Sequence, residues 1–434
     1  MTAIERERSN EGRAWKTLFF VSLVNSAQAA IAVVGIPSLA TSAQLSSAQT
    51  TSLLAALPIG AGVAAAFAGP ISDKFGRKQV LLAGLCLLGL SLIPHVIANH
   101  YISLLALRLM TGVATGILMG LPSTLLSDNF RKDRQISLSG KTLCGYAIGQ
   151  TVGIPLGIWL MEWTSFLWVC SLYGLLAIAC IPFAQHYLPT PINQKSKRSV
   201  PKWFSEYAKR SKETLKDKDF NLIAVASFLS FTALAAFYVS FALWLFSTAE
   251  LRPSEIAPMY LAGGLLQIAV FTVILRIFTK IRPQLTISIS LILNTIIFSS
   301  VYPGLDSLNS ATVFFALTLG AVSLRIPGLQ FLINNRGDPH QKGLRVSLNQ
   351  TSSHLGKALG SILGGSLFPI VGMHQIALSC GVLTLACSLL FLRDLFSELN
   401  AEQIMPKRRG RVSQKNFNNQ KFGKWGSSGT HVAN

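Results

Sequence analysis

The stretch Gly69-Pro70-Ile71-Ser72-Asp73-Lys74-Phe75-Gly76-Arg77-Lys78 separates two long apolar runs, and reading outward from it decides the fold. Before it lies Thr51 to Ile71 and after it Val80 to Ala98, each about as long as the 20 or so apolar residues that a helix needs to cross a hydrocarbon core of roughly 30 Å. Gly69 and Gly76 permit close helix approach and a tight turn, and Asp73 can pair with a cation or sit against a helix N-terminus. The same alternation of apolar run and short charged or Pro/Gly break continues along the chain. Further spans are expected near 18–38, 102–126, 137–160, 166–187, 220–246, 257–278, 285–302, 311–333, 344–371 and 375–395, twelve in all.

Composition agrees. In 434 residues, 50% are hydrophobic and only 13% charged, which excludes a disordered chain and a water-soluble enzyme. The first span is full length and lacks a cleavage pattern, so it is expected to be a retained helix rather than a signal peptide. The interruption from Leu188 to Asp219, with Pro189, Pro191, Pro201 and nine Lys/Arg, divides the chain. The expected organisation is a six-helix half over 1–187, a basic linker over 188–219, a second six-helix half over 220–396, and a basic disordered tail over 397–434.

The net charge of +20 raises nucleic acid as a partner, and the positions of the charges exclude it. With the N-terminus placed in the cytoplasm, 34 of the 38 Lys/Arg fall in cytoplasmic segments, and the external loops hold only Arg252. Both termini are thus expected to be cytoplasmic, with the excess charge facing an anionic inner leaflet. In the linker, Trp203, Phe204, Tyr207 and Leu215 among Lys and Arg form the pattern of an amphipathic helix on that surface. Six cysteines sit in apolar runs with no Cys-x-x-Cys or Cys/His spacing, so neither disulfide nor metal site is expected, and no pattern for a cofactor is present.

The quoted stretch resembles the signature loop of the major facilitator superfamily, G-x-x-x-D-[RK]-x-G-R-[RK], in the place where that family carries it, after the second of twelve spans. Arg108-Leu109-Met110-Thr111-Gly112 is similar to the family's R-x-x-Q-G motif, with Thr111 at the Gln position. Gly145, Gly149, Gly153, Pro155 and Gly157 resemble the fifth-span glycine/proline motif of the antiporter branches, which include drug/proton antiporters. Their four-residue recurrence puts small residues on one helix face for close packing where the halves would rock. The resemblance implies an all-α membrane protein in two six-helix halves. The first, fourth, seventh and tenth spans would line a cavity, and alternating access would move a small organic solute, by efflux or antiport, in a bacterial-type plasma membrane. It further implies a cytoplasmic gate at Gly69, Asp73, Gly76 and Arg77, with Arg131 or Arg134 as partner to Asp73. The matching second-half loop, 276–283, lacks the Gly and Asp, so the gate is expected mainly in the first half.

Three cations fall inside spans, where a charge costs about 2.5 to 3.5 kcal/mol and marks function by default. Arg108 lies about 9 Å from the outer end of the fourth span. Arg325, followed by Pro327 and Gly328, lies in the tenth and Lys357 in the eleventh. Gln350, His354, Lys357 and Ser361 share one face of the eleventh span. None of the eighteen carboxylates lies deep in a span, so the cavity should be electropositive, unlike that of an exporter of cations. Arg325, Lys357 and Arg108 are expected to hold an anionic or carboxylate-bearing solute, with Gln350, Asn25, Gln28 and Tyr238 completing the site. His354 is a candidate proton carrier. Uptake of an organic anion, or a membrane sensor on the same fold, are the alternatives. The protein is expected to act as a monomer, with the proton as coupling ion.

Overall fold

The computed structural model describes residues 3–98, 100–129, 132–189, 200–247, 249, 251–277, 281–304, 307–336 and 341–404. The described residues form helices and turns without a strand: α1 (Ala3–Ser42), α2 (Ser47–Phe75), α3 (Arg77–Leu92), α4 (Tyr101–Asn129), α5 (Lys132–Trp163), α6 (Phe166–Tyr187), α7 (Val200–Thr214), α8 (Lys218–Ser247), α9 (Pro253–Ile277), α10 (Pro283–Gly304), α11 (Leu308–Asn335) and α12 (Lys342–Ile404). Ten stretches are long and apolar enough to cross a membrane, and Pro283–Ser299 is a shorter apolar helix. One of the ten, Gly343–Asn400, is broken at Gly372, whose φ of 76° and ψ of 175° leave the helical region. α12 is therefore two passes, and the twelve expected spans are all present.

Local chemistry sets several of these ends. Ser46 and Gln49 form a reciprocal capping box that starts α2, with bonds of 3.2 and 3.0 Å. Ser307 and Ser310 do the same for α11. Pro94 turns the end of the third pass into a 3-10 segment, Ile93–Ile97. Two bounds differ from expectation. α1 begins well before the apolar run, and the last helix continues to Ile404, past the expected start of the tail at 397. The rest of that tail lies outside the described residues.

α1 to α6 pack on one another and α8 to α12 on one another, with α2 against α12, α5 against α9 and α1 against α8 joining the groups. The outward faces are apolar: Leu90, Ile102, Val382 and Ile370 are all more than 60% exposed. A belt of that kind suits lipid, while backbone polar groups are satisfied inside each helix.

Candidate functional site

The turn between α2 and α3 is built as its residues suggest. Gly76 takes φ of +96° and closes α2 through its N–H to the Ser72 carbonyl. Arg77 Nη2 donates to Asp73 Oδ1 at 3.2 Å, one helical turn away. Lys78 Nζ donates to the carbonyls of Gln185 and Leu188 at 2.6 and 2.7 Å, fastening α3 to the end of α6. Arg131 and the side chain of Arg134 lie outside the described residues.

The second half carries an ionic cluster on the same face, which the sequence reading missed. Arg336, at the end of α11, pairs with Asp394 at 2.8 Å and with Glu398, both on the last pass. Glu398 also accepts from Gln284 at the start of α10, at 2.7 Å. Burial alone would lower the Arg336 pKa, but the Asp394 hydrogen bond and the two carboxylate charges raise it above the ordinary value. Buried Arg345 on α12 pairs with Asp217 just before α8. Folding thus brings charged residues from distant chain segments together on this face in the second half as well.

The fifth-span glycines do pack closely, but within their own half. A Cβ added at Gly145, Gly149 or Gly153 would come within 2.4 Å of Phe19 O, Leu23 O or the Ala27 Cβ, all on α1, and Gly157 faces Ile31 of the same helix. The contact between α5 and the other half is with α9, and Thr151 against Gly264 is part of it. A second glycine row that the sequence reading passed over, Gly356, Gly360 and Gly364 on α12, meets Phe228 O, Thr232 O and Ala236 O of α8 in the same way.

Deep in the second half, Arg325 of α11 is 1% exposed, and its Nε, Nη1 and Nη2 have no hydrogen-bond partner among the described residues. Its guanidinium lies 5.6 Å from the centroid of the Phe231 ring on α8. Lys357 of α12, half-buried, places Nζ 4.9 Å from the same centroid. Neither cation has an ion pair among the described residues. Tyr238, seven residues beyond Phe231 on α8, has a buried hydroxyl without a partner and packs on Phe315, which also meets Tyr260 at 4.5 Å. Arg325 and Lys357 thus meet at Phe231, a ring the sequence did not single out, and Tyr238 lies two helical turns further along α8.

The other expected site residues divide. Gln350 is half-buried and makes no side-chain hydrogen bond among the described residues. His354 turns toward the first half, with Nε2 3.2 Å from Met119 Sδ of α4 and its Nδ1 buried without a partner. A second histidine, His95, is as deeply buried, with Nδ1 2.9 Å from the Ser91 carbonyl. In the first half, Gln28 donates to Thr115 Oγ1 at 2.9 Å, bonding α1 to α4, and to the Asn25 carbonyl of its own helix at 3.1 Å. Arg108 is 2% exposed and lies 5.9 Å from the Phe166 ring of α6, with Nε and Nη1 unpartnered. It belongs to a separate cluster from the Arg325 and Lys357 pair. No group of three or more His, Cys, Asp or Glu that would suit a metal occurs among the described residues.

The sequence profile described as Major Facilitator Superfamily matches residues 18–334. The gallate transporter of Pseudomonas putida is 30% identical over 173 residues, 39% of this chain and 38% of that protein. Multidrug resistance protein 2 of Bacillus subtilis is 22% identical over 365 residues, 82% of this chain and 90% of its own. The human organic anion transporter MFSD10 superposes with a TM-score of 0.70 at 16% identity, over 88% of this chain and 99% of that one, which shows a shared fold. Two six-helix groups, the Asp73 turn and a profile that spans most of the chain lead to one conclusion: this multi-pass membrane protein belongs to the major facilitator superfamily and transports small organic solutes.

Proposed function

We propose that the cargo is an organic anion bearing a carboxylate, bound between Arg325 and Lys357 and carried by alternating access of the two halves. One observation carries this reading: two cations lie within 6 Å of one ring, and Arg325 is buried with none of its nitrogens satisfied. A buried cation without a partner costs several kcal/mol, and two close together also repel. An anion between them relieves both costs. The guanidinium fork matches the two oxygens of a carboxylate, and Lys357 adds a point charge. The Tyr238 hydroxyl supplies a neutral donor or acceptor, and Phe231 and Phe315 offer ring faces to an aromatic portion of the cargo. Gln350 sits on the same helix as Lys357. Asn25, Gln28 and Arg108 support the first half of the pathway. His354, where α12 meets α4, is the proposed proton carrier, and Asp73 with Arg77 and Arg131 or Arg134 the first-half gate. The proposed setting is the plasma membrane, with both termini in the cytoplasm and the protein working as a monomer.

Export is the favoured direction, because the long match is to a multidrug resistance protein and α5 carries the antiporter-like Gly/Pro motif. Uptake is the second reading, favoured by the gallate transporter, which is named for an aromatic carboxylate. The test is flux in proteoliposomes of aromatic carboxylates, aliphatic carboxylates and cationic drugs, with and without an imposed pH gradient. The expected result is saturable carboxylate flux that Arg325→Ala and Lys357→Ala each abolish. Cationic-drug flux untouched by either substitution would overturn the assignment.

A further inference from the structure

Of the stripe that the sequence suggested for the helix between the halves, α7, one member faces protein, while Leu215 is exposed and the side chains of Trp203 and Phe204 lie outside the described residues. Tyr207 turns toward α2, where its hydroxyl donates to the Ala66 carbonyl and its ring lies 6.1 Å from that of Phe67. Pro70 explains why that carbonyl is available. In a helix the Ala66 carbonyl accepts from the N–H four residues on, and Pro70 has none. A backbone acceptor left open in a packed region needs another donor. Tyr207 supplies it from a segment 141 residues away.

The far end of α7 is fixed to the other half. Thr214, 1% exposed, donates through Oγ1 to Gln341 Oε1 at 3.0 Å, immediately before α12. Three residues later Asp217 pairs with Arg345 on the first turn of α12. Tyr207, Ser211 and Thr214 are spaced to share one helix face. Glu206, Lys209, Arg210, Lys212 and Glu213 are exposed on the remainder. α2 and the start of α12 are themselves in contact beneath the helix, since a Cβ at Gly69 would lie 2.8 Å from Ser347 Oγ.

We infer that α7 is a strap, pinned by Tyr207 to the carbonyl that Pro70 frees and by Thr214 and Asp217 to α12, that holds the halves together on the basic face. Its α12 end has an ion pair with a buried arginine. Its α2 end is held by the Tyr207 hydrogen bond and ring contact, and Tyr207 is the side chain through which that end of the strap is tested. The inference rests on alternating access and not on the identity of the cargo.

The test uses the full chain in lipid nanodiscs without cargo. Its native cysteines are replaced by alanine, and spin labels are attached at Phe75→Cys and Gly343→Cys, both exposed positions. Tyr207→Phe keeps the ring and removes the donor. The expected outcome is a fall of about five-fold in the ratio of short to long distances, the worth of one neutral hydrogen bond of about 1 kcal/mol. Pro70→Ala returns an N–H to the Ala66 carbonyl, so in that background Tyr207→Phe should change the ratio by less than about two-fold. A ratio that Tyr207→Phe leaves unchanged in the chain that keeps Pro70, or an equal change with Pro70 and with Pro70→Ala, overturns the inference. A label-free readout is tryptic cleavage after Lys209 and Arg210, expected to speed up in Tyr207→Phe. An unchanged cleavage rate counts against the strap. Because the distances are read without substrate, a wrong cargo assignment leaves this result standing.

Discussion

The two halves use one packing device and opposite chemistry. On the first side α5 lays Gly145, Gly149 and Gly153 against the backbone of α1, and on the second α12 lays Gly356, Gly360 and Gly364 against α8. In the two rows the missing Cβ atoms would come within 2.1 to 2.5 Å of the facing helix. What lies beside those seams differs. In the first half the neutral Gln28 donates to Thr115 Oγ1 and to the Asn25 carbonyl. In the second, Arg325 has no partner and Lys357 shares its ring. The scaffold is repeated, while the two cations that share a ring sit on one side and Arg108, by the Phe166 ring, is the buried cation of the other among the described residues. In the proposed function the anion is bound in the second half.

Removing the charge should break the comparison most. Arg325→Met is expected to lower carboxylate flux by roughly 100-fold, as two charge-assisted hydrogen bonds of about 1.5 to 3 kcal/mol each are lost. The same substitution should raise the thermal unfolding midpoint of the cargo-free protein, because an unpaired buried cation is replaced by an apolar chain of similar length. A drop in both flux and midpoint would mark Arg325 as structural. Next in size, Gly149→Ala and Gly360→Ala should each destabilise by about 1 to 3 kcal/mol, since backbone on the facing helix has to move. Thermal unfolding that shows a penalty at only one of the two would refute the equivalence of the seams.

Gln28→Leu sharpens the contrast from the first half. It should cost about 1 kcal/mol of stability, one hydrogen bond to Thr115, and change carboxylate flux by no more than about three-fold. Loss of flux as deep as that of Arg325→Met would place cargo against the first half. The last test is read through pH, at Asp217. Burial raises its pKa, but the Arg345 hydrogen bond and charge, with backbone donors, bring it below the usual carboxylate value. A lowered folded pKa means that the stabilisation is complete above the unfolded value of about 3.9 and fades as pH falls through the folded one. Unfolding midpoints of the native chain and Asp217→Asn should therefore differ at neutral pH and converge below pH 4.

Much of the fold was legible because apolar length and charge placement report on lipid and water directly. The breaks at Gly76 and Gly372, the turn around Asp73 and the intramembrane Arg325 and Lys357 all stand in the chain as local signals. The partners of those residues were not legible. Phe231 is one phenylalanine among 25, and nothing in its neighbours distinguishes it as the ring beneath two cations from separate helices. The glycine row on α5 was visible by its spacing, yet its neighbour was misjudged, because spacing defines a face and not what the face meets. Tyr207 looked like part of a lipid-facing stripe for the same reason.

By itself, then, the sequence determined the solvent of each segment, the number of passes and the presence of cations without intramembrane carboxylates, since these follow from transfer free energies of residues taken along the chain. The tertiary structure alone decided which half holds the charge together, that α5 seals α1 rather than the seam between halves, and that α7 reaches a carbonyl freed by Pro70. Those outcomes depend on distances between residues far apart in sequence, and such distances are fixed only when the helices pack.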